Sequence, residues 1–129
     1  MPGVLLTEEM AMISRALVVQ SRPEDARAVR DALAELDWQT IVVADGFAAV
    51  SAVDAWAPEV VLIDLTLPPL DGWLVLADLG ARADRPLLVA RVADASEAGR
   101  AVALGADAWV DGDIHVVASA GKLVRLLAA

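Results

Sequence analysis

Polar residues that could do chemistry stand at the ends of short apolar runs in this sequence. Asp64 is the clearest case, because it directly follows four apolar residues at 60–63. A carboxylate at such a position can ligate a cation or pair with a positive side chain. Any groups that act together with Asp64 would come from the ends of the other runs. The residues there are Gln20, Ser21, Asp45, Arg91 and Asp111.

The apolar runs alternate with amphipathic stretches of helical length, and this alternation predicts βαβ units around a parallel sheet. In a doubly wound sheet, functional groups gather beyond the carboxyl ends of the strands. The fold class we predict is therefore α/β, a doubly wound (βα)5 domain with a five-stranded parallel sheet. The predicted strands are residues 16–19, 40–44, 60–63, 87–90 and 107–110. The predicted helices begin at Pro23 and then cover residues 47–53, 73–79, 93–104 and 114–127.

Composition limits the classes of protein that fit. The chain has 129 residues, of which 58% are apolar, and a formal net charge of −9. This predicts one well-packed domain at residues 14–129, with residues 1–13 as an N-terminal appendage. The acidic balance argues against a nucleic-acid partner, and charges interrupt every apolar stretch that could span a membrane. The chain has no cysteine, which excludes disulfides and thiol chemistry and fits a cytoplasmic location.

The most specific motif lies at residues 58–72. An apolar run typical of a buried strand ends there at Asp64 and is followed by Pro68 and then Asp71-Gly72. Together with Trp109 in the fifth predicted strand, this motif resembles the receiver domain of bacterial two-component response regulators. The resemblance implies a flavodoxin-like fold with strand order 2-1-3-4-5, and a signalling protein that is not an enzyme. It assigns Asp64 to the phosphoacceptor position, Pro68, Asp71 and Gly72 to the following loop, and Trp109 to the switch aromatic position.

Other positions depart from the family pattern. The acid pair that helps to hold Mg²⁺ in receivers aligns with Gln20 and Ser21, and the lysine position aligns with Gly112. The Thr/Ser position falls on Ala90 or Arg91, depending on one residue of spacing. Because Mg²⁺ needs carboxylates, phosphate and waters in an octahedral arrangement, we expect neither a metal nor another cofactor.

A positive side chain near Asp64 would have one of two roles. Arg22 and Arg91 are the candidates, and either could neutralise a phosphoryl group or pair with the carboxylate and hold it unphosphorylated. The favoured hypothesis is a pseudo-receiver that acts mainly by protein–protein interaction, with a histidine kinase or another regulator as partner. The alternatives are a working single-domain phosphoacceptor regulator and a flavodoxin-like small-ligand-binding domain.

Trp109 also has two interpretations: an aromatic that changes exposure with signalling state, or a half-buried aromatic on an edge strand. The family implies a possible homodimer through the face of the fourth helix, fifth strand and fifth helix. The residues of that face are Arg100, Val102, Trp109, Lys122 and Arg125.

Overall fold

The computed structural model describes residues 14–66 and 71–111. Within this part of the chain, five parallel strands form one sheet in the order β2-β1-β3-β4-β5. The strands are β1 (Ser14–Val19), β2 (Trp38–Val43), β3 (Val60–Asp64), β4 (Leu87–Val92) and β5 (Ala108–Asp111). The helices are α1 (Pro23–Glu35), α2 (Gly46–Trp56), α3 (Gly72–Gly80) and α4 (Ala98–Ala103). The predicted fold class and strand order are confirmed.

Several predictions fall outside the described residues. These are the appendage at residues 1–13, the fifth helix at residues 114–127, and the site positions Pro68 and Gly112.

Two apolar cores lie on opposite faces of the sheet. On one face, Leu17, Val61 and Leu88 belong to a cluster that also contains the buried residues of α2, α3 and α4. On the other face, Val18 and Leu62 pack in a cluster with buried residues of α1. Because the central strands are covered on both sides, their sequences are continuous apolar runs without polar alternation.

The fourth helix is shorter than the sequence predicts. Residues 93–104 read as one helix, but the structure has a 3-10 turn at Ala95–Glu97 before α4 begins. Asp94 stays extended, and its carboxylate accepts a hydrogen bond of 2.8 Å from the Ser96 backbone N–H. This local cap delays the start of the helix, because Asp favours such turns over a helix interior.

Helix α3 begins in tight contact with the end of β3. A Cβ at Gly72 would lie 2.9 Å from Leu65 Cδ2 and 3.2 Å from the Asp64 carbonyl oxygen, so a larger residue would force the end of β3 to shift. Asp71 caps the helix, since its carboxylate accepts a hydrogen bond of 3.2 Å from the Leu74 N–H. These two residues fix how the chain leaves the edge of the sheet that carries Asp64.

An ion pair anchors the start of β5 at the opposite end of the sheet. Arg85 donates two hydrogen bonds to the Asp107 carboxylate, at 2.8 and 3.0 Å, and the Leu88 N–H donates a third at 2.9 Å. Partial burial raises the pKa of Asp107, but these hydrogen bonds outweigh it and leave the pKa below its ordinary value. No helix in the described ranges combines the length and apolar character needed to cross a membrane.

Candidate functional site

Strand register brings three of the predicted residues to one edge of the sheet. Asp64 on β3 is paired in register with Arg91 on β4. Gln20 directly follows β1, the neighbour of β3 on its other side, and its backbone N–H donates to the Val43 carbonyl oxygen at 2.9 Å. The carboxyl ends of the three central strands therefore supply a carboxylate, a guanidinium and an amide side by side.

The Asp64 carboxylate is buried, with 5% of the residue exposed, and both of its oxygens accept hydrogen bonds. Oδ2 accepts from Gln20 Nε2 at 2.7 Å and from Arg91 Nη1 at 3.0 Å. Oδ1 accepts from the Thr66 backbone N–H at 2.8 Å and from the Thr66 hydroxyl at 2.6 Å. Four donors, one of them cationic, compensate a charge that burial alone would make costly.

Further hydrogen bonds hold Gln20 and the backbone of Arg91 in position. The Gln20 side-chain oxygen accepts a hydrogen bond of 3.1 Å from the Arg22 backbone N–H, which orients the amide so that its nitrogen faces Asp64. The Arg91 backbone carbonyl accepts from the Leu65 N–H at 2.9 Å, which is part of the pairing of β3 with β4. The arrangement around Asp64 is therefore built on the sheet and on its first turns.

Thr66 is a site residue that the sequence reasoning missed. Its backbone N–H and hydroxyl both bond to the carboxylate two residues earlier, as in the turns that Asp commonly forms with its own chain. The Asp-x-Thr spacing at residues 64–66 was the available signal.

The structure separates the two candidates for the Thr/Ser position and the two candidate cations. Arg91 points to the same side of the sheet as Asp64, whereas Ala90 is fully buried in the core on the opposite face. Arg22 is exposed, and its backbone N–H, not its guanidinium, donates the hydrogen bond to Gln20. Ser21, the second acid-pair position, is partly buried beside Gln20.

Trp109 lies on β5 at the edge of the described sheet and is 38% exposed. Within the predicted dimer face, Val102 is also exposed, and Arg100 stacks its guanidinium 4.2 Å from the centre of the Trp73 ring. Lys122 and Arg125 of that face lie outside the described residues.

The residues around Asp64 do not fit a magnesium ion. Both carboxylate oxygens are engaged by fixed donors, and the Arg91 guanidinium already supplies the positive charge next to Oδ2. Gln20 presents an amide N–H to the carboxylate where a metal site would present a second oxygen ligand. In the parts of the chain that the structure describes, no three His, Cys, Asp or Glu residues are grouped to hold a metal.

A small cavity of about 10 Å³ lies beneath this site, between Gln20, Asp64, Arg91 and apolar residues. Most of these apolar residues belong to the cluster that packs under α1, here called the α1-side core. Its volume corresponds to about one water molecule. The cavity is therefore too small for an organic ligand.

Comparisons with known proteins agree on one family, although no family model matches the chain. The transcriptional regulatory protein KdpE of Mycobacterium tuberculosis is 34% identical over 95 residues, which is 73% of this chain and 42% of that protein. The sensory transduction protein RegX3 of Mycobacterium bovis is 37% identical over 93 residues, 67% of this chain and 40% of that protein. The chain thus spans about two-fifths of the length of these curated relatives.

Solved structures match over nearly the whole chain. The signal receiver domain of a response regulator from Bermanella marisrubri is 26% identical, with a TM-score of 0.76 over 90% of this chain and 99% of that one. This chain is a response-regulator receiver domain. The receiver domain of the Francisella response regulator 1452 shares the fold at 18% identity, with a TM-score of 0.78 over 90% of this chain and 99% of that one. Receiver domains of response regulators are generally signalling proteins of two-component systems.

Proposed function

We propose that this receiver domain is a pseudo-receiver, which signals mainly through protein–protein contacts and not through phosphorylation of Asp64. The observation that carries the proposal is the ion pair between Asp64 and Arg91, at 3.0 Å within a buried hydrogen-bonded cluster. Its partners would be signalling proteins of a two-component system, a histidine kinase or another regulator. Nothing in the proposed role requires an enzymatic activity, a nucleic acid or a bound cofactor.

The Asp64 carboxylate is already paired with the Arg91 guanidinium. Phosphoryl transfer depends on positioning and on charge stabilisation over the equatorial oxygens, which Mg²⁺ supplies in this chemistry. Before Asp64 can attack a phosphoryl donor, Oδ1 or Oδ2 must lose at least one of its present hydrogen bonds. Gln20 and Ser21 bring no carboxylate that would attract a metal to help this step.

The test is phosphorylation with acetyl phosphate in the presence and absence of Mg²⁺, followed by intact-mass measurement. The wild-type chain is expected to show no Mg²⁺-dependent phosphoryl adduct. A rebuilt variant that carries Gln20→Asp, Ser21→Asp and Arg91→Thr is the matched comparison, because it restores the acid pair and removes the guanidinium. Its adduct should depend on Mg²⁺ and be absent when Asp64→Asn is added.

A Mg²⁺-dependent adduct on the wild-type chain that disappears in Asp64→Asn would overturn the proposal. That result would support the working phosphoacceptor regulator instead.

We further propose that copies of the domain associate through the α4–β5 side. Exposure of the apolar Val102 and Trp109 on neighbouring elements supports this surface. Light scattering over a concentration series tests it. A particle of 13.5 kDa at the highest concentration would reject the dimer.

A further inference from the structure

A groove runs between α2 and α3, on the face of the sheet opposite to the α1-side core. Its volume is about 260 Å³, and it is open to solvent along one side. At its start the helices approach closely, because a Cβ at Gly46 would lie only 2.7 Å from Val75 Cγ2. Its walls are apolar residues with carboxylates beside them: Gly46, Val50, Leu74, Val75, Asp71 and Asp78.

Two large apolar side chains are exposed on the helices that form this groove. Leu74 on its wall is 67% exposed, and Phe47, next to Gly46 in the first turn of α2, is 86% exposed. They are the two most exposed of the large apolar side chains in the described part of the chain. Exposed apolar patches with a polar rim commonly mark interaction sites.

The rim of the groove is acidic. Asp71 and Asp78 line it, and Asp54 lies on the same side of α2 as Val50. Arg82 contacts both Asp54 and Asp78, at 2.6 and 3.2 Å, and neutralises only part of this charge. Among the described residues that line the groove there is no Lys or Arg. A second copy of this chain would meet the rim with the same negative charge, so charge complementarity favours a basic partner.

We propose that the α2–α3 groove docks a basic amphipathic helix of a partner protein. Apolar side chains on one face of that helix would pack between Val50 and Leu74 and against Phe47, while its Lys or Arg residues face the acidic rim. The surface is separate from Asp64, so the proposal stands whether or not Asp64 is phosphorylated.

The experiment uses the full chain and a synthetic helical peptide of Leu and Lys, with Leu on one face. Binding is measured by titration calorimetry, and the contact surface is mapped by backbone amide NMR shifts. Shifts are expected to cluster on α2 and α3. Phe47→Ser and Leu74→Ser should each weaken binding by about tenfold, as expected for central apolar anchors.

Two matched controls separate this surface from general attraction to an acidic protein. Ile41→Ser removes another exposed apolar side chain, on β2, and should leave the affinity unchanged. Asp78→Asn should weaken binding and flatten its salt dependence, whereas Asp84→Asn, in the loop before β4, should do neither. A peptide of Leu and Glu with the same pattern should not bind.

Three results would overturn the proposal. The first is a set of NMR shifts centred on another surface. The second is an equal loss of affinity in Ile41→Ser and Leu74→Ser. The third is a concentration-dependent dimer in sedimentation that Phe47→Ser abolishes, because the groove would then belong to a second copy of the chain. Unchanged melting temperatures of the variants exclude misfolding as the cause of lost binding.

Discussion

Replacing Arg91 by Met is expected to cost about 2–4 kcal/mol of folding stability at neutral pH. The side chain of Asp64 is 4% exposed and that of Arg91 is 16% exposed, so the substitution leaves a carboxylate buried without its cation. Breaking a fully buried pair costs roughly 3–5 kcal/mol. The expected loss is somewhat smaller here, because three hydrogen bonds to Asp64 remain and the side chain of Arg91 is partly open to water.

Urea denaturation followed by circular dichroism measures this loss, and thermal melting should show a fall of roughly 10 °C. Arg82→Met is the matched control, because Arg82 makes two ion pairs at the surface, where solvent screens them. A cycle with Asp64→Asn isolates the pair, and the coupling energy between positions 64 and 91 should reach about 2 kcal/mol. If Arg91→Met destabilised the protein no more than Arg82→Met, the argument from the buried ion pair would be refuted.

Three further predictions concern the elements that support the site. Gly72→Ala should destabilise the domain by about 1–2 kcal/mol in urea, because the new Cβ would lie 3.2 Å from the Asp64 carbonyl oxygen, a backbone atom that cannot rotate away. Asp71→Ala removes the cap of α3 and should cost about 0.5–2 kcal/mol in the same assay. The lowered pKa of Asp107 means that its pair with Arg85 stabilises the fold fully above the ordinary value of 3.8 and loses this effect as pH falls below it. The stability of Asp107→Asn should therefore approach that of the wild type in an acid titration to pH below 3.8, and equal losses at all pH values would contradict this reasoning.

The sheet could be predicted from the sequence because its central strands carry an unambiguous signal. Residues 60–63 are apolar at every position, as a strand covered on both faces requires, and the polar Asp64 marks the end of this apolar run. The start of the helix after β4 was harder to predict from the sequence. The carboxylate of Asp94 competes for the backbone N–H of Ser96, and this local contact, which apolar periodicity does not report, shortens α4.

The sequence predicted which residues form the site better than it predicted the hydrogen bonds between them. The carboxyl ends of parallel strands lie at the same edge of a sheet, so Gln20, Asp64 and Arg91 were expected near one another. Which arginine would reach the carboxylate depended on register, because only pairing of position 91 with Asp64 points the Arg91 side chain to the same face. The roles of Gln20 as a donor and of Thr66 as a double donor depend on side-chain rotamers, which residue types alone do not fix.

The four hydrogen bonds on Asp64 also constrain how such a site could change over evolutionary time. If Arg91 were lost first, the buried carboxylate would stand without a cation before any metal site existed to replace it. If Gln20 became Asp first, the donor at 2.7 Å would be replaced by a second negative charge against Oδ2. Either first step is expected to lower the stability of the domain. Two substitutions that would be useful in combination are therefore each harmful alone. If the domain has the proposed pseudo-receiver role, sign epistasis of this kind would make a return to metal-dependent phosphorylation difficult.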